Sequence, residues 1–190
     1  MHMGNELMTP GVGGVFMGIS AAGLSFSTKK AGIDLDDKRV PLMGVMGAFI
    51  FAAQMINFPV LAGTSGHLGG GFLLAVTLGP NLAVIIMASI LAIQCLIFQD
   101  GGVLALGANI LNLGLIPAYL GIGIYRSLRF LGSTGMKNSI RIFAASLMSV
   151  VAGAVMVPAE VNLTGLYVVP FETFLMLMTG VHVLIGSVEG

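Results

Sequence analysis

Charge is what this sequence has least of. Only 8% of its 190 residues are Asp, Glu, Lys or Arg, against about a quarter in soluble domains, so a water-facing surface cannot be covered. Formal net charge is zero and neither terminus carries a charged tail, so nothing points to a nucleic-acid partner. Tryptophan is absent and tyrosine scarce, which leaves Phe and Tyr as weak interfacial anchors. The one cysteine, Cys95, lies in an apolar run, which excludes a disulfide framework and a thiolate metal site. No basic n-region or A-x-A-type site marks the first apolar run as a cleavable signal. No glycine-rich stretch ends in Gly-Lys-Ser/Thr, so the chain is expected to hydrolyse no ATP itself and to be no enzyme. The 13 methionines show no repeated M-x-x-M spacing and read as packing residues.

What remains is apolar: 56% hydrophobic residues and a mean hydropathy of +1.01. The expected fold is an all-α integral membrane protein, one transmembrane helical domain over residues 1–190. Apolar spans run over about 8–27, 40–58, 60–79, 82–98, 103–125, 139–157 and 172–188, most near the ~20 residues that cross a bilayer. Glycines occupy the first half of the third, leaving a short helix near 68–79 that Gly79-Pro80-Asn81 ends. All eight basic residues fall in two loops: Lys29, Lys30, Lys38 and Arg39, then Arg126, Arg129, Lys137 and Arg141. Both loops are therefore expected to be cytoplasmic, which requires an even number of crossings between them. Seven crossings follow, with the amino terminus outside and the carboxyl terminus inside. Glu6, Asp100, Glu160 and Glu172 would then make the outer face acidic.

The segment Gly63-Thr64-Ser65-Gly66-His67-Leu68-Gly69-Gly70-Gly71 holds five glycines and one imidazole. A helix would be penalised by roughly 1 kcal/mol for each glycine, whereas a tight loop that aims one side chain uses them. The chain begins Met1-His2, so an α-amine, the His2 backbone nitrogen and the His2 imidazole can chelate one ion in fused rings. A histidine from elsewhere completes four nitrogens, a set that suits Ni(II) or Cu(II). Taken singly, His2 is explained by chance, while His67 reads equally as a ligand or as a satisfied turn residue. The topology places both at the outer face, where they point to a shared metal. Thr64 and Ser65 are expected to orient the His67 ring by hydrogen bonding.

Gln94, Gln99, Asp100, Asn109 and Asn112 surround the 99–102 turn, either lining the site or bonding one another. Asn109 and Asn112 would share a helix face at three-residue spacing. His182, in the middle of the last span, reads as a packing residue separated from the other imidazoles by depth. Small residues recur every four positions at Gly14, Gly18 and Ala22 and again at Gly44, Ala48 and Ala52. One stripe is expected to pack internally and the other to dock a membrane partner.

The opening Met1-His2-Met3 and the glycine-rich segment, with Gln94-Cys95-Leu96-Ile97-Phe98-Gln99-Asp100-Gly101-Gly102 and the closing His182-Val183-Leu184-Ile185-Gly186 and Glu189-Gly190, resemble the NikM/CbiM family. Its members are substrate-capture components of energy-coupling factor importers for nickel or cobalt. The resemblance covers nearly the whole chain. It implies seven helices in a prokaryotic cell membrane and a metal, Ni2+ or alternatively Co2+, held by Met1, His2 and His67. It implies as partners a transmembrane coupling protein, two cytoplasmic ATPase subunits and a small accessory membrane protein, with Gly44, Ala48 and Ala52 as the coupling stripe. Many relatives begin Met-His-Ile-Pro-Asp-Gly where this chain has Met1-His2-Met3-Gly4-Asn5-Glu6, a departure that spares the ligands. The rival is a stand-alone secondary divalent-metal transporter, which needs acids or histidines in mid-membrane. Four nitrogens that must all be deprotonated predict release of more than one proton on binding, and loss of metal as pH falls through ~6. Extending the amino terminus by one alanine should abolish tight binding, read by calorimetry, because a peptide bond replaces the amine.

Overall fold

The computed structural model describes residues 1–34, 39–132, 134–166 and 169–190. Helix α1 spans Pro10–Asp34 and α2 spans Arg39–Gln54. A two-stranded antiparallel hairpin follows, β1 Phe58–Leu61 and β2 Thr64–Gly66, turned at Gly63 in a left-handed conformation. Helix α3, Gly71–Leu78, has only 8 residues, a rise of about 12 Å that covers less than half a bilayer core. Gly79, at φ 92°, then breaks the chain, and Pro80 starts α4, Pro80–Ile97, at the helix position where a missing N–H costs nothing. The predicted turn at Gly79-Pro80-Asn81 is thus present. Helix α5 runs Leu106–Leu131, widened to π geometry over Leu111–Leu120 around Pro117. Helices α6, Gly135–Thr164, and α7, Phe171–Glu189, pack antiparallel and close the bundle.

Among the described residues there are seven helical rods. Five of them are long and apolar enough to cross a membrane, α2 is a shorter apolar helix, and α3 is shorter still. The third span is therefore not a helix throughout. Its first half is hairpin and extended chain, because Phe58-Pro59-Val60-Leu61 pairs with Thr64-Ser65-Gly66 and the glycines at 69–70 precede the helix.

Lys30, Arg39 and Arg126 line one cleft together with Gly79, Pro80 and Asn81. Residues of the two basic loops thus meet at one end of the bundle. Lys38 lies outside the described residues. At the opposite end the first residues of the chain enter the bundle. Met1, Met3 and Leu7 have no exposed surface and join the core with Phe72, Leu74 and Met87. Both small-residue stripes face outward, contrary to the expectation that one packs internally. Gly14, Gly18, Ala22, Gly44, Ala48 and Ala52 are all exposed, while α1 turns Gly13, Phe16, Ser20 and Ser27 inward.

Two glycines let the amino-terminal segment pass. A Cβ at Gly102 would collide with the Asn5 backbone nitrogen, and one at Gly153 with the Asn112 carbonyl, beside the Met1 sulfur. Nothing stands within 4 Å of a Cβ at Gly44. Gly102→Ala and Gly153→Ala should each cost roughly 1–3 kcal/mol through overpacking. Gly44→Ala should be neutral or slightly stabilising, all three read from thermal unfolding in detergent.

Candidate metal centre

Residues 2–4 run alongside the hairpin, joined to it by an isolated antiparallel bridge at Met3. Ser65 N–H donates to the His2 carbonyl at 3.1 Å, Gly4 N–H donates to the Gly63 carbonyl at 2.9 Å, and Met3 bridges to Thr64. On its other side Met3 is gripped by Asn109, whose Oδ1 accepts the Met3 N–H at 3.0 Å and whose Nδ2 donates to the Met3 carbonyl at 3.1 Å. Gly102 N–H donates to the same carbonyl at 3.0 Å. Among the described residues no partner takes the N–H of His2.

This segment brings His2 against His67. The ring centroids are 4.4 Å apart, with the planes 35° from parallel, and the residues are only 3% and 2% exposed. His67 Nδ1 lies 2.8 Å from the Leu68 carbonyl, which leaves Nε2 without a partner. His2 Nδ1 lies 3.3 Å from Asp100 Oδ1, an ion-pair distance without hydrogen-bond alignment, and its Nε2 is likewise unpartnered. Asp100 is fixed by Asn57, whose Nδ2 donates to Oδ2 at 3.2 Å. Gln99 before it takes φ 56°, a left-handed conformation uncommon outside glycine, and a Cβ at Gly101 would crowd the Asn109 amide beside the His2 ring. Each buried, unpaired nitrogen costs roughly 1–3 kcal/mol. Two such atoms on adjacent rings are the mark of a site built for something to fill it.

The electrostatics favour a positive occupant. Burial pushes the Met1 amine down to about 4, against the pull of Asp100 and Glu189. Burial likewise lowers His2, opposed by Asp100, and lowers His67 well below its ordinary value, with the amine and His2 adding to the effect. Asp100 is held below the usual carboxylate range chiefly by His2. At neutral pH the amine and imidazoles are therefore unprotonated donors beside an ionised carboxylate. Among the described residues no three His, Cys, Asp or Glu side chains converge to hold an ion on their own.

Other expected members stand elsewhere. Thr64 Oγ1 donates to the Leu61 carbonyl at 3.2 Å and the Ser65 hydroxyl has no partner, so neither orients the His67 ring. Asn112 Nδ2 donates to Glu160 Oε2 at 2.8 Å. Glu160 is itself fully buried rather than part of an acidic outer face. His182 is fully buried with Nδ1 2.8 Å from the Met178 carbonyl and Nε2 unpaired. It lies close enough for its imidazole to act electrostatically on His67, so depth does not isolate it. Two contributors escaped sequence reasoning. Gln54 Nε2 donates to the Gly69 carbonyl at 2.7 Å, and the Glu189 carboxylate accepts the N–H groups of Gly69 and Gly70. Glu189 had one visible signal, an acid in the last turn of a helix, where the macrodipole disfavours it.

Residues 2–190 match the family model described as CbiM, cobalt uptake substrate-specific transmembrane region. The chain belongs to this family. A relative from Haloquadratum walsbyi, provisionally described as a metal transport protein, is 35% identical over 190 residues, covering 100% of this chain and 85% of that one. A fused nickel transport protein of Rhodobacter capsulatus is 32% identical over 151 residues, covering 78% of this chain and 42% of its own length. The crystal structure of a truncated transition metal transporter superposes with a TM-score of 0.90 at 31% identity, covering 100% of this chain and 92% of that one. Several apolar helices and this kinship make the chain a multi-pass protein of the cell membrane.

The lowered values revise the expected pH behaviour of this family member. With the amine already neutral above pH about 4, protons compete for it only as pH falls through that value. Were the amine and the two imidazoles to take a divalent ion, binding should therefore persist through pH 6 and fail nearer pH 4, and titration at pH 7 should release about one proton, that of any backbone amide that joins them. Calorimetry in buffers of different ionisation enthalpy counts that proton. Unfolded chain takes up the amine proton below its ordinary value of 8.0 while folded chain does not. The metal-free protein should thus lose stability as pH drops from 8 toward 4.

Proposed function

We propose that this chain is the metal-capture subunit of an ATP-driven energy-coupling factor importer, binding Ni(II), with Co(II) as the alternative, at the extracytoplasmic face. The observation that carries this is the buried encounter of His2 with His67 beside the unprotonated Met1 amine. The amine, the His2 backbone nitrogen and the two imidazoles supply four nitrogens, a set that suits tetragonal Ni(II). An ionised Asp100 offsets part of the ion's charge. The nickel in one relative's name and the cobalt in the family's description support that choice of cargo. The cleft lined by His2, Glu6, Asn57, Asp100 and Gly102, about 640 Å³ in volume, is the route inward for the cation.

Sidedness follows from charge. The basic end faces the cytoplasm by the positive-inside rule, which puts the amino terminus outside and the carboxyl end toward the inside after seven crossings. A transmembrane coupling protein, two ATPase subunits and a small accessory membrane protein are the proposed partners. Gly44, Ala48 and Ala52 on the exposed face of α2 are the proposed coupling stripe, since small side chains permit close helix approach. One observation favours the rival secondary transporter: Glu160, buried within α6 and paired with Asn112, offers a titratable group inside the bundle. Nickel uptake into vesicles holding the chain alone, compared with vesicles that also hold the ATPase partners, separates the two.

The ligand set has its own test. His2→Ala and His67→Ala should each abolish tight nickel binding in calorimetry, whereas His182→Ala should stay within about tenfold of the unaltered chain. Wild-type affinity in either of the first two variants overturns the four-nitrogen site. Equal loss in all three would mean that the topology or the depth assigned to the last span is wrong.

A further inference from the structure

We infer that Glu189 and Gln54 are positioning residues that hold the His67 loop in its ligating geometry from two different helices. This rests on His67 being a metal ligand, as proposed above. The four residues 67–70 form no helix and no strand, so although the ring is held locally by the Leu68 carbonyl, regular backbone pairing does not fix where this loop lies. What fixes it comes from far along the chain. Glu189, in the last turn of α7, accepts the Gly69 N–H through Oε2 at 2.8 Å and the Gly70 N–H through Oε1 at 2.9 Å. Gln54, the last residue of α2, donates from Nε2 to the Gly69 carbonyl at 2.7 Å. Gln94 of α4 locks that amide by donating to Gln54 Oε1 at 3.1 Å. Residue 69 is thus held at both its N–H and its carbonyl.

The glycines are what admit this clasp. A Cβ at Gly69 would stand 3.0 Å from Glu189 Oε2, and one at Gly70, where φ is +77°, would be forced into Ile50. Charge gives the carboxylate a second task. Gly69 and Gly70 stand immediately ahead of α3, whose unpaired N–H groups carry a partial positive charge. Left bare, that helix end would repel a divalent cation bound at His67. A carboxylate across both N–H groups satisfies them and cancels the repulsion. Glu189 touches neither the ring nor the ion and acts through the backbone that carries His67.

The test titrates Ni(II) into the full chain with its native amino terminus. It compares Glu189→Gln, Glu189→Asp and Gln54→Leu by calorimetry, by nickel dissociation rate and by the visible absorption of the bound ion. Glu189→Gln and Gln54→Leu are each expected to weaken binding by about 10- to 100-fold. Dissociation should speed up, and the absorption of the bound ion should shift away from that of the unaltered chain. Glu189→Asp, which keeps the charge and the acceptors on a shorter stem, should recover part of the loss. Unchanged affinity and absorption in Glu189→Gln, even with a lower thermal midpoint, would mean the contact is only structural and would overturn the inference. An aspartate no better than glutamine would overturn the part assigned to charge. Where Glu189→Gln does not fold, Gln54→Leu carries the same readings from the other side of Gly69. Failure of the unaltered chain to bind nickel would instead overturn the capture function itself.

Discussion

The structure depends on keeping the first four residues of the chain inside a helix bundle. A chain terminus is ordinarily mobile and wet, and burying one strands several polar groups. The protein meets that cost with main-chain pairing on both sides of Met3, from the hairpin and from Asn109 with Gly102. Once the segment is held, much else follows. The amine loses its proton because it loses water, the His2 ring is set against Asp100 and His67, and a side chain at 102 or 153 would collide with backbone.

The helices were largely legible in the sequence because apolar length is a local property. The break at Gly79-Pro80 followed from one glycine and one proline. The hairpin was not legible. Its strands are 4 and 3 residues long, too short for alternation to show, and the flanking glycines resemble an irregular loop. Asn109 and Asn112 were paired by helical spacing, but the π stretch beginning at Leu111 shifts the register between them. One grips the amino-terminal segment and the other binds Glu160. Glu189 and Gln54 reach the His67 loop across 120 and 15 residues, and periodicity within one element carries no trace of such partnerships. The two imidazoles were found because histidine is rare here and a polar ring in an apolar chain needs a reason.

Charge balance explains why carboxylates crowd a site whose donors are all nitrogen. A divalent ion stripped of water and moved into a bundle interior faces a large desolvation penalty. Asp100 stands against His2 and Glu189 against the backbone next to His67, so each imidazole has an acid one step behind it. Neither acid takes an imidazole nitrogen out of use with an aligned hydrogen bond. The arrangement lowers the penalty for the ion while leaving the nitrogens free to meet it.

The hairpin also divides two very different surfaces. On one side is the polar cleft that reaches His2. On the other is an apolar groove of about 430 Å³ where Ala53, Ile56, Phe58, Leu184, Ile185 and Val188 surround His67 and Leu68. Ile56, Leu184 and Val188 are exposed, so in a bilayer acyl chains press into that groove and form one wall of the chamber beside His67. The dielectric around that imidazole is then set partly by the lipid, and so is its tolerance for charge. Shorter, wetter or detergent-replaced chains would change the polarity of the wall next to a ring that the protein leaves only 2% exposed, making membrane composition a determinant of how firmly this centre holds a cation.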